Sequence, residues 1–272
     1  MKYFNEKLQW SVFGPQSKPV SATFALWASV TSISALAQDS APATALDPVV
    51  VTASPFTDRS ELDLAQPVSV LQGEALRRKR EASLGDTLSR ELGVTSSAFG
   101  PAAGRPIIRG LDGPRIRVLE GGIGTLDIST LSPDHMVTTE PLNASQIEIL
   151  RGPATLLYGS GASGGVVNVV NGRIPQRLFK SPKGNFELRG NSATDERSGA
   201  FNVMGSVGQA SWNVDGFKRK TADYDTPVGR VANSAVDAHS LALGGSWVGE
   251  RGVLGAAVSQ LDVLYGIPGS VG

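Results

Sequence analysis

The sequence predicts a small α/β domain, with a mixed sheet and short helices, followed by the first antiparallel strands of an incomplete transmembrane β-barrel. Three observations predict it. From about Ser60 to Pro175, short strand-like runs, glycine turns and a capped helix follow one another. After Gly184, apolar and polar residues alternate in successive segments of about 9–11 residues, the length of a tilted membrane strand. The links between those segments alternate between tight and longer, as in a barrel with short turns on one side. The resulting layout is an export signal over 1–37, a disordered segment over 38–59, the α/β domain over 60–175 and the barrel strands over 184–272.

Lys2, Lys7 and Lys18 lead into "VSATFALWASVTSISALA", which ends in Ala35-Leu36-Ala37 before Gln38. A basic region, an apolar stretch and a small-x-small site make a cleavable secretory signal. The apolar stretch is interrupted by Ser and Thr and falls short of the ~20 strongly apolar residues of a spanning helix. Residues 38–46, "QDSAPATAL", are small and polar, a composition that stays disordered. In "DPVVVTAS", Asp47 to Ser54, the run Val49-Val50-Val51-Thr52 has high β-propensity. It is either the first strand of the next domain or a free strand offered to a partner's sheet edge.

Within the α/β domain, "PVSVL" (67–71) alternates like a strand. "SLGDTLSRELG" begins with a capping Ser83, repeats Leu84, Leu88 and Leu92 at helical spacing and stops at Gly93, so it reads as a short helix. "RPIIRG", "RIRVLEGG", "QIEILRGP" and "GGVVNVVNG" are strands closed by turns, and "ATLLYG" is a helical turn. Gly159, Gly161 and Gly164 in "YGSGASGG" spell G-x-G-x-x-G. A dinucleotide loop requires a strand before these glycines and a helix after them. Here a helical turn precedes them and the β-branched run 166–170 follows, so the glycines supply turns and close backbone packing instead.

The strand region begins with "NFELRGN", "FNVMGSV" and "SWNVDGFKRK", and continues with "HSLALGGSWVG" and "VLGAAVSQLD". Gly208–Ser211 and Gly249–Gly252 read as tight turns, Thr221–Asp237 as a long polar loop and Ser192–Ser198 as an intermediate link. A soluble β-sandwich also alternates, but the turn parity and the export signal favour the barrel.

The 25 basic and 25 acidic side chains among 272 residues balance, which gives no reason to expect nucleic acid. The absence of cysteine excludes a disulfide framework, a thiolate zinc site and a cysteine nucleophile. With two histidines, no cysteine and no Gly-x-Ser-x-Gly followed by a suitable triad, nothing in the sequence supports a secreted enzyme.

From Asp47 onward the chain resembles the TonB-dependent outer-membrane receptors. "DPVVVTAS" is similar to their TonB box. "RPIIRGLDGPRIRVLEGG" and "IEILRGPATLLYGSGASGGVVNVV" are similar to the two signature stretches of their plug domain, here Arg109 and Gly110, then Arg151, Gly152, Pro153, Tyr158, Gly159, Gly161, Gly164 and Gly165. The resemblance implies a plug inside a barrel, with Arg109 and Arg151 facing the barrel wall. It implies a monomeric receptor in outer-membrane lipid that takes up a scarce nutrient with energy delivered by TonB. TonB would pair by β-augmentation with Asp47, Pro48, Val49, Val50, Val51 and Thr52. Barrels of this kind have about 22 strands, so the present chain is expected to be an N-terminal fragment or a truncated gene product, unable to transport alone. Nine residues between Gln38 and Asp47 are too few for the extra folded domain of a signal-transducing receptor.

"LSPDHMVTTEPLNASQIEILRGPATLLYGSGASGG", ending in "NGRIP", resembles the zinc-uptake branch of these receptors, some of which are linked to haem. By that resemblance Asp134 and His135 bind the metal as substrate; Glu140, close to them in sequence, is a further candidate ligand. Zn2+ takes imidazole nitrogen and carboxylate oxygen, usually with four ligands. Adjacent side chains on a strand point apart, so the pair needs a loop, which Ser132-Pro133 provides. Haem, a siderophore or another metal chelate is the alternative substrate; a haem iron would take His135 as its axial ligand. His239 lies where the long loop meets the fourth strand and is not expected to be a ligand.

N-terminal sequencing of the mature protein is expected to start at or near Gln38. A cytoplasmic product that retains Met1 would rule out the outer-membrane reading.

Overall fold

The computed structural model describes residues 50–51, 59–60, 67–97 and 99–269. The export signal over 1–37, the segment 38–46, and Asp47, Pro48, Val49 and Thr52 lie outside these residues. Val50 and Val51 form β1 (Val50–Val51), which pairs antiparallel with β2 (Arg59–Ser60). The two make a small sheet of their own and do not join the sheet of the following domain.

That domain contains β3 (Val68–Gln72), α1 (Gly73–Lys79), α2 (Leu84–Leu88), β4 (Val94–Ser96), β5 (Pro106–Ile108), β6 (Ile116–Glu120), β7 (Ile123–Gly124), β8 (Gln146–Leu150) and β9 (Gly165–Val170). Its five-stranded sheet runs β3-β8-β9-β6-β7. β6 and β9 are parallel and the other neighbours antiparallel, so the sheet is mixed, as expected. Leu71, Leu76, Leu84, Leu88, Ile147, Ile149 and Val167 meet in one buried core, each side chain worth about 1.5–3 kcal/mol on burial.

Ser83 caps α2, accepting the Asp86 N–H at 3.1 Å. The helix stops at Leu88, one turn earlier than the leucine spacing predicts, and Leu92 is 92% exposed. Leu84 and Leu88 already fill the core, and Gly93, at φ +71°, turns the chain away. α1 is not legible in the sequence: its seven residues bury only Leu76.

The second sheet contains β10 (Lys183–Asn191), β11 (Glu196–Val207), β12 (Ala210–Lys220), β15 (Val236–Gly249) and β16 (Gly252–Tyr265), each antiparallel to the next. A minor hairpin, β13 (Asp225–Thr226) with β14 (Gly229–Arg230), sits in the long loop. Val207 opposite Ala210 and Gly249 opposite Gly252 close two-residue turns. The first link is shorter than the sequence suggests, because β11 already begins at Glu196 opposite Asn191.

The two faces of this sheet distinguish it from a soluble sandwich. The face packed on the α/β domain buries small and polar side chains: Ser198, Ser211, Asn213, Asp215, Arg219, Ser240 and Ser246, with Ala200, Phe217, Val236 and Ala238. The outward face exposes Phe186, Leu188, Phe201, Leu241, Leu243, Trp247, Leu254 and Val258. Apolar outside and polar inside is the arrangement of strands that face lipid. Outward glycines lie beneath large neighbours. A Cβ on Gly216 would come within 2.9 Å of the Phe201 ring, and one on Gly205 within 2.7 Å of the Trp212 ring. In register, these rings stand opposite those glycines and cover their backbone. Among the described residues no helix is long and apolar enough to cross a membrane.

Arginines, Arg80 and Arg219 buried and Arg173 half-buried, join domain and sheet. Arg80 pairs with Glu187 at 2.5 Å, and Arg173 pairs with Glu120 at 2.8 Å and Asp215 at 3.3 Å. Arg219, 1% exposed, pairs with Glu140 at 3.0 Å and also donates to the carbonyls of Ala82 and Glu81. The connection after β9 lies along the sheet's inner face, so closely that a Cβ on Gly244 would fall 1.8 Å from the Arg173 carbonyl oxygen.

Candidate functional site

Asp134 and His135 sit on a turn, as their chemistry requires. The His135 N–H donates to the Ser132 carbonyl at 3.0 Å, closing a four-residue turn through Pro133. The two side chains converge: His135 Nδ1 lies 3.1 Å from Asp134 Oδ1, and each side chain is 43% exposed. The Ser132 hydroxyl donates to the same carboxylate. That hydroxyl first, and the His135 ring second, hold the Asp134 carboxyl below the ordinary carboxylate range. The result is one anionic oxygen donor beside one imidazole, open to solvent.

The turn is fastened on both sides by residues that sequence reasoning did not single out. Next in the chain, the Met136 N–H donates to the Tyr265 hydroxyl at 3.1 Å, at the end of β16. Before it, Arg105, 2% exposed, pairs with Asp127 at 3.1 Å and donates to the Gly113 carbonyl at 3.2 Å. Asp127 in turn accepts the Ser129 N–H at 2.9 Å, fixing the short 3-10 turn Ile128–Thr130 that leads to Ser132. Spacing could not reveal either anchor, since Arg105 and Tyr265 are distant in sequence from the turn they hold.

Glu140, the further candidate ligand, is engaged by other partners. It is buried, with one carboxylate oxygen accepting the Leu142 N–H at 3.1 Å and the other paired with Arg219. Burial pushes its carboxyl up, against the pull of Arg219. His239 is on the outward face of β15, 60% exposed and 3.4 Å from Asp262, away from the turn. Among the described residues no three His, Cys, Asp or Glu side chains gather to hold a metal.

The glycine-rich stretch is packing and turn. Gly152 and Gly159 have φ of +99° and +102°, flanking the 3-10 turn Pro153–Tyr158. A Cβ on Gly161 would come within 2.7 Å of the Pro114 carbonyl, and one on Gly164 within 2.7 Å of Ile116. On Gly165 it would meet Ile108 at 2.8 Å. Arg109 is exposed at φ +51°, next to Gly110 at +78°. Arg151 turns onto its own domain, donating to Ser69 at 2.9 Å and to the Leu92 carbonyl at 3.1 Å. Ion pairs between the domain and the five described strands are made by Arg80, Arg173 and Arg219.

Residues 60–166 match the family model described as TonB-dependent Receptor Plug Domain. Similar solved structures include the siderophore receptor PirA from Acinetobacter baumannii, at 21% identity and a TM-score of 0.56 over 73% of this chain and 32% of that one. The copper transporter OprC is 18% identical with a TM-score of 0.62, over 74% of this chain and 31% of its own. The ferric-catecholate import receptor Fiu from E. coli K12 is 19% identical with a TM-score of 0.58, over 75% and 28%. The likeness is one of fold: a plug-type mixed domain followed by barrel-like strands. The chain spans about a third of the length of these receptors.

If Glu140 is structural, Arg219→Met leaves a buried carboxylate without its cation and is expected to cost about 3–5 kcal/mol. Adding Glu140→Gln should restore much of that loss. Calorimetric unfolding of both variants in detergent checks it; a double variant no more stable than the single would show that the pair is not coupled.

Proposed function

We propose that this chain is the N-terminal part of an outer-membrane receptor that takes up a scarce metal, free or chelated, with energy supplied through TonB. One observation carries the reading. A domain matching the plug model over 60–166 is followed directly by five antiparallel strands whose polar face packs on that domain and whose apolar face points outward. An open sheet leaves two edges of unpaired backbone groups, each costly in lipid, so transport requires the rest of a barrel. Delivery to the outer membrane would follow from the export signal.

The Ser132–His135 turn supports a metal as cargo. Asp134 and His135 offer one oxygen and one nitrogen donor, a set suited to Zn2+, which binds such atoms at about 2.0–2.2 Å, and to Cu2+. Two donors fill half of a tetrahedral shell. Zinc held by further protein ligands is the reading that follows from the turn and from the zinc-branch resemblance. A metal chelate, which brings donors of its own, is the second reading. It is favoured by the similar structures described as receptors for siderophores and ferric catecholates, and copper by OprC.

Pairing of Val50 with a partner's sheet edge needs its backbone N–H, which Val50→Pro removes. In a receptor with its complete barrel, that change is expected to abolish uptake and leave surface binding intact. Undiminished uptake would count against a TonB box here.

Calorimetry with zinc should show tight binding to the complete receptor, about tenfold or more weaker with Asp134→Asn or His135→Ala. Binding should also fall as pH is lowered from about 8 to about 5, because the metal needs the imidazole unprotonated. Equal affinities in all three proteins would remove the turn as a metal site.

A further inference from the structure

The side chains of Asp134 and His135 are each 43% exposed, so little packing holds them and their convergence depends on the backbone beneath. On the upstream side that backbone is fixed from within the α/β domain. The Ser132 N–H donates to the Ile128 carbonyl at 3.0 Å, at the end of the 3-10 turn that Asp127 caps. On the downstream side the fastening comes from the second sheet, where the Tyr265 hydroxyl accepts the Met136 N–H at 3.1 Å. A peptide group is planar, and the plane that carries the Met136 N–H also carries the His135 carbonyl and Cα. A hydrogen bond to that N–H therefore sets the rotation of the plane in which the His135 side chain is rooted. Val137, the next residue, enters the domain core, so the tie sits where the exposed turn meets the fixed interior.

Tyr265 is itself held in place. It ends β16 opposite Val236, and just beyond it the Gly266 N–H donates to the Ala235 carbonyl at 3.0 Å. Its ring packs against the cluster that Ala102 and Leu142 of the domain share with Phe217, Val236 and Ala238 of the sheet. A tyrosine suits this task, because its ring is anchored by apolar neighbours while its hydroxyl reaches a polar partner. A side chain locked by packing in this way can hold a neighbouring binding group in one geometry.

We infer that Tyr265 is a positioning residue for the metal pair: its hydroxyl, acting through the His135–Met136 peptide, holds the imidazole toward Asp134, so that metal is bound tightly only while the turn is tied to the end of β16. The effect is reciprocal, since a metal on the pair strengthens the tie by as much as the tie strengthens binding. The metal half of this inference rests on the function proposed above; the fastening of the turn does not.

Tyr265→Phe keeps the ring and removes the acceptor. In the complete receptor, hydrogen exchange of the Met136 amide, normalised to β8, should quicken by about tenfold or more. Calorimetry with zinc should show binding about tenfold weaker. On a His135→Ala background the same substitution should change zinc affinity by less than about twofold, because no imidazole is left to position. Unchanged zinc affinity in Tyr265→Phe would overturn the positioning role. An equal loss in both backgrounds would overturn it too, since a general loosening of the structure does not need the imidazole. Unchanged Met136 exchange would overturn the fastening. If His135→Ala alone bound zinc like the wild type, the metal reading of the turn would fall and the positioning role with it, and Met136 exchange would still decide the fastening.

Discussion

A guanidinium withdrawn from water must be matched by charge and by hydrogen bonds, and Arg219 imposes that constraint on the whole molecule. It belongs to β12 and is 1% exposed, yet its partners come mainly from the domain in front: Glu140, Ala82 and Glu81, with Glu196 of β11 at 3.4 Å. Without the domain, the inner face of the sheet would present Arg219, Asp215 and Asn213 to nothing. Without the sheet, Glu140 would lose its cation and the link between α1 and α2 would lose its donor. The two parts are thus completed by each other, and the plug-type domain is held by charge as much as by the apolar contacts of Leu142 with Ala200 and Phe217.

Much of this fold is legible in the sequence, and what is not has a physical cause. The five long strands can be read because period-two alternation persists over 9 to 14 residues. Their order follows because tight turns force neighbours to pair. α1 escapes because a seven-residue helix with one buried leucine carries almost no amphipathic signature. The end of α2 is misjudged because leucine spacing continues to Leu92 although the core is full at Leu88. In "SWNVDGFKRK" the charges look like a solvated strand end. Parity alone separates Arg219, which shares a face with Asp215 and Phe217, from the exposed Lys218 and Lys220.

The candidate site divides along the same line. Asp134 and His135 are readable as a pair because Ser132-Pro133 announces a turn, and a turn lets adjacent side chains converge. Glu140 is near them in sequence but not in role: Pro141 starts a 3-10 turn, and Glu140 caps it with one oxygen and meets Arg219 with the other. Sequence distance is a poor guide wherever a chain passes from an exposed turn into an interface within five residues.

The polarity of the interface bears on what the assembly is suited to do. Apolar contact is worth about 25 cal/mol per Å2 and is lost entirely when surfaces part. Ion pairs behave differently. Arg80 with Glu187, Arg173 with Asp215 and Arg219 with Glu140 are expensive to leave half-made in the interior, so they enforce correct seating. Once water reaches both partners, hydration replaces much of the attraction that is lost. An interface of this composition therefore seats the domain in one place through matched charges. The small, polar inner faces of β12 and β15 are accordingly what lets charge, rather than a layer of leucines, seat the domain.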